Sequence, residues 1–72
     1  MNSKELKVEM LRHGENGDKL ASHLGISRQS LSNKISENNN SEFTQKEISK
    51  IIEHYNLSTE RVMEIFFAQS MS

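Results

Sequence analysis

The stretch from Gly17 to Ile35, Gly-Asp-Lys-Leu-Ala-Ser-His-Leu-Gly-Ile-Ser-Arg-Gln-Ser-Leu-Ser-Asn-Lys-Ile, constrains the fold more than any other. Leu20, Ala21 and Leu24 follow helical spacing and then stop at Gly25. Glycine enters the left-handed region without a Cβ penalty, so Gly25 reads as the end of one helix. Ser27 can accept a bond from an unpaired backbone N–H and so open a second helix, which carries Leu31 and Ile35 four residues apart. Ala21 is small enough to let the two helices pack closely. The spacing predicts a helix-turn-helix over about 17–36.

Start and stop signals elsewhere predict three more helices. Asn2 with Glu5 three residues later opens a first helix to about Arg12, with Leu6, Val8, Met10 and Leu11 as its buried face and His13-Gly14 as its end. The second helix spans about Asp18 to Leu24, with Asp18 favourably placed in its first turn. The third spans about Ser27 to Ser36, and the polar run Glu37-Asn38-Asn39-Asn40-Ser41 that follows reads as a loop. Thr44 and Glu47 form a capping box for a fourth helix, in which Ile48, Ile51, Ile52 and Tyr55 repeat at amphipathic spacing. A fifth begins after Ser58. Phe43 with Ile48, Leu57 with Val62, and Ile26 with Leu31 each read as an apolar staple across a helix start. With no proline in 72 residues, the expectation is an all-α fold of five short helices in one domain spanning 1–72.

A chain this short buries only about 60% of its unfolded surface, so its core is marginal and a homodimer would help it. It has no cysteine, hence no disulfide framework and no thiolate zinc site. No apolar run approaches the ~20 residues of a membrane span, so no membrane association is expected and the expected location is cytoplasmic. The net charge of −1 is unevenly spread. Residues 1–36 carry six Lys/Arg against four acids, and residues 37–72 carry three against six. The half holding the predicted helix-turn-helix is therefore mildly cationic and the other half acidic. Nucleic-acid binders are usually basic throughout.

On the third helix, Leu31 and Ile35 turn inward, so the opposite face centres on Gln29 and Asn33. Both carry the amide fork that matches adenine N6 and N7, and Arg28 can reach guanine or a phosphate. Ser30, Ser32 and Lys34 flank the face as candidate phosphate contacts that fix register. Asn39 and Asn40 are further phosphate candidates, since the loop follows this helix. The alternative is an ordinary solvated face. Lys4, Lys7 and Arg12 read as the wet side of the first helix. The last helix is apolar on two sides: Val62, Ile65 and Phe66 form one stripe, Met63 and Phe67 another that a domain this small can leave exposed as a protein interface.

His13, His23 and His54 are scattered in sequence and read as surface or boundary residues rather than metal ligands. Glu5/Glu9 and Glu60/Glu64 read as solvated like-charged faces. No nucleophile elbow or phosphate loop is present, so no catalytic residue, cofactor or small-molecule substrate is expected.

At Ala21, Leu24, Gly25, Ile26, Ser27, Leu31 and Ile35 the chain resembles the phage-repressor-type (Cro- and CI-like, XRE) helix-turn-helix family. Ser41-Glu42-Phe43-Thr44 and Ile65-Phe66-Phe67 look like short members from temperate phages of Gram-positive bacteria. It departs in two places: Gly17 stands where many members carry a phosphate-contacting Gln, and Lys34 stands where an apolar residue is usual. The resemblance implies a lambda-repressor-like DNA-binding domain, working in a bacterial host cell as a transcriptional regulator on double-stranded operator DNA in a lysis/lysogeny-like switch. It also implies an alternative, a modulator of repression or antirepressor that binds a partner phage repressor. In that case the acidic residues Glu37, Glu42 and Glu47 and the Met63/Phe67 stripe are the candidate protein interface.

Overall fold

The computed structural model describes residues 1–37 and 41–67. Among them are five helices and no strand: α1 (Ser3–Arg12), α2 (Gly17–Leu24), α3 (Arg28–Ser36), α4 (Gln45–Tyr55) and α5 (Thr59–Phe66). Every helix starts at a polar cap that satisfies a backbone N–H with no partner inside the helix. Asn2 accepts from the Glu5 N–H, Asn16 from Lys19, Ser27 from Ser30, Thr44 from Glu47 and Ser58 from Arg61. At Thr44 the reciprocal bond is also made, the Thr44 N–H donating to Glu47 Oε1 at 2.9 Å. At α1 it is not, because Glu5 Oε1 accepts from Arg61 instead. Asn16 starts α2 one residue earlier than the Asp18 boundary expected.

Helix α2 ends as Gly25 predicts. Gly25 lies at φ 74°, its N–H reaching Ser22 O at 3.2 Å while Ile26 N–H reaches Ala21 O at 3.0 Å. These are the two bonds of a Schellman end, and they turn the chain within three residues into α3. Asn56 ends α4 by the same pair of bonds.

The five helices share one core. Leu6 and Met10 of α1, Leu20, Ala21 and Leu24 of α2, Leu31 and Ile35 of α3, Ile51 and Tyr55 of α4, and Ile65 of α5 form a single buried cluster. Ile26, Phe43 and Leu57, the residues ahead of three caps, pack half-buried against it. Two expectations for α1 fail. Leu11 is 77% exposed and Val8 only half-buried, because the inward side of α1 is set by Leu6 and Met10.

The third buried position on that inward side, Glu9, is a charged residue at 4% exposure. Glu5 and Glu9 are therefore not the solvated pair expected. Arg61 of α5 reaches between them, Nε donating to Glu9 Oε2 at 2.7 Å and Nη1 to Glu5 Oε1 at 2.9 Å and Glu64 Oε1 at 3.0 Å. The Asn2 N–H donates to Ile65 O at 2.7 Å and completes the seam between α1 and α5. No helix among the described residues is long and apolar enough to cross a membrane.

Candidate nucleic-acid interface

Helix α3 is anchored by Leu31 and Ile35, and its other side chains face outward or along its flanks. Gln29 is exposed and Asn33 half-buried, one turn apart. Gln29 Nε2 donates to Asn33 Oδ1 at 3.2 Å, so the two amides form a bonded pair that leaves the Gln29 carbonyl and the Asn33 N–H₂ for a further partner. Ser32 is exposed beside them, and Ser30 is half-buried with its backbone committed to the Ser27 cap.

Arg28 is exposed, and Nη1 donates to Asp18 Oδ1 at 3.1 Å. Its side chain lies across Gly17, where a Cβ would stand 2.5 Å from Arg28 Nε. Gly17 thus leaves the first turn of α2 open for the guanidinium.

Lys34 departs from its expected role at the phosphate backbone. It sits on the flank of α3 that faces α4, and its Nζ donates to Glu47 Oε1 at 2.7 Å in a half-buried pair. Burial pushes the Glu47 carboxyl up, but the Lys34 and Thr44 hydrogen bonds outweigh it and hold the carboxyl below the usual carboxylate range. The same bond withdraws Glu47 from the expected acidic surface. Glu37 and Glu42 remain exposed, with Glu37 Oε2 3.4 Å from the N-terminal amine. Asn39 and Asn40 lie outside the described residues. Met63 and Phe67 are 53% and 55% exposed, so the described residues leave the second stripe at the end of the chain's last helix uncovered.

One polar cluster escaped the sequence reading. Glu15 accepts from His54 Nε2 at 2.8 Å and from the Tyr55 hydroxyl at 3.0 Å, while the His23 ring stacks on His54 at 4.0 Å and His13 tilts against Tyr55 at 4.7 Å. It fastens the chain just ahead of α2 to the end of α4. The partners are 39 and 40 residues apart, so no spacing rule finds them. No group of three metal-ligating residues occurs among the described residues.

Burial raises the Glu15 carboxyl, but the His54 and Tyr55 hydrogen bonds and the charges of His54 and His13 carry it below its ordinary value. A carboxyl whose folded value is depressed contributes stability that is present above its unfolded pKa of about 4.3 and is lost as pH falls through the folded value. Glu15→Gln is expected to flatten the fall in melting temperature below about pH 4. An unchanged acid limb in that variant would contradict the pairing.

No family model, characterised protein or solved structure matches this chain, so the reading of α3 stands on its own residues.

Proposed function

We propose that α2, the Gly25-Ile26-Ser27 turn and α3 form a helix-turn-helix, and that the protein is a phage-type transcriptional regulator whose α3 enters the major groove of operator DNA. The observation that carries this reading is the outward amide pair, Gln29 and Asn33, on a helix face with no large apolar residue, held at a fixed angle by a left-handed glycine turn. Such amides read adenine bidentately, and Arg28, resting on Gly17 at the same end of α3, can take a guanine or a phosphate. A homodimer would address half-sites about 34 Å apart. With a net charge of −1 the affinity depends on few phosphate contacts, so binding is modest and falls with salt.

The test is a mobility shift on the protein's own promoter region. Gln29→Ala and Asn33→Ala are each expected to lose about 1–3 kcal/mol of discrimination at one base pair while leaving non-specific binding in place. Unaltered operator selectivity in both variants rules the recognition role out.

A second reading is favoured by a specific observation: both cations of α3 are already paired, Arg28 with Asp18 and Lys34 with Glu47. Exposed Glu37 and Glu42 then suit the basic DNA-binding face of a partner repressor, which the protein would occupy as an antirepressor. Release of the neighbouring repressor from DNA, with no shift by the protein alone, selects this second reading.

A further inference from the structure

Two uncovered surfaces of this molecule complement each other. The outward face of α1 carries Lys4, Lys7 and the 77%-exposed Leu11, and neither lysine has an acidic partner among the described residues. Beside Leu11 opens a cleft of about 390 Å³ toward α3, lined by Met10, Leu31, Ile35 and Arg28 among others. The outward face of α5 is the converse: Met63 and Phe67, four residues apart, share it with exposed Glu60 and Glu64. An amphipathic helix docks by laying such an apolar pair into a groove while its flanking charges meet opposite charges on the rim.

We infer that the α1 face and its cleft receive α5 of a second copy, so that the protein self-associates head to tail. Charge selects this arrangement over a symmetric one. Pairing α5 with α5 would set Glu60 of both copies against each other, Glu64 being already answered by Arg61 at 3.0 Å, and pairing α1 with α1 would do the same with Lys4 and Lys7. Of the acidic groups near the cleft, Asp18 is paired with Arg28, and Glu15 is turned toward His54 and Tyr55 of α4. A contact between two different patches leaves one of each unfilled at the ends, so the chain of copies grows beyond a dimer unless it closes as a ring. The cleft shares Arg28 with the DNA-binding reading, but the self-association does not depend on DNA and is tested without it.

Sedimentation velocity over a concentration series at low salt tests it, using Leu11→Asp and Met63→Asp. Both sites are exposed, and far-ultraviolet circular dichroism checks that each variant keeps its helices. The wild-type protein is expected to rise in mass past a dimer, and each variant to associate at least ~10-fold more weakly. Mixed one to one, the variants retain one intact face each and should form a dimer and nothing larger. A wild-type protein that stays monomeric, a variant that associates as the wild type does, or a mixture that stays monomeric overturns the inference.

Discussion

Arg61→Ala is expected to destabilise the protein by about 3–5 kcal/mol, the range for removing one partner of a buried ion pair. The cost arises at Glu9. Its carboxylate is 4% exposed, and without Arg61 its remaining cation is Arg12 at 3.4 Å, on the solvent side. A charge left in that position keeps only this one long contact in place of the Arg61 fork. Domains hold only about 5–15 kcal/mol in total and one this short sits low in that range, so a large unfolded fraction is expected at 37 °C. Urea unfolding followed by circular dichroism measures the effect. The double variant Glu9→Leu with Arg61→Met should recover most of the loss, because well-packed apolar groups often replace a buried pair without cost. A loss under about 1 kcal/mol in Arg61→Ala would mean that the cluster behaves as a surface salt bridge.

Leu31→Ala is the second large effect, at about 2–5 kcal/mol. Leu31 is 1% exposed, and together with Ile35 it supplies all the buried side chains of α3. The cavity therefore opens at a helix held by only two buried side chains. Amide exchange should rise first and most in α3, while α1 and α5 keep the protection given by their Arg61 seam. If α3 amides exchange no faster than those of α1 in the variant, the helix is held by something other than its two apolar side chains. Under the DNA-binding reading, operator affinity should fall with that protection, since a groove-reading face must be rigid before it is selective.

What was legible in the sequence is local. The caps at Asn2, Ser27, Thr44 and Ser58 each close a bond to a backbone N–H three residues on, so a spacing rule finds them. Gly25 was legible because its neighbours on both sides carry helical apolar spacing. The pair Gln29 and Asn33 was legible as an outward face because Leu31 and Ile35 fix which side of α3 is inward. Asn16 obeys the same local rule, and the helix it caps starts one residue before the expected Asp18.

The misjudged residues are charged or apolar groups whose partner comes from another helix. Leu11 lies about 100° around α1 from Met10, and its apolar character alone does not say where the buried arc of the helix ends. Lys34 reads as a free cation until α4 brings Glu47 to 2.7 Å, and Glu5 and Glu9 read as a wet face until α5 inserts Arg61.

The sequence by itself determined five helices, the starts of all but α2, the left-handed turn at Gly25 and the side of α3 that carries its amides, because each depends on contacts within a few residues of chain. The tertiary structure alone decided which charges are available to a partner. It joined Lys34 to Glu47, Glu15 to His54 and Arg61 to Glu9 across 13, 39 and 52 residues. It also left Leu11, Met63 and Phe67 uncovered. Pairing of charges and coverage of apolar surface depend on how helices pack, and no local spacing encodes that packing.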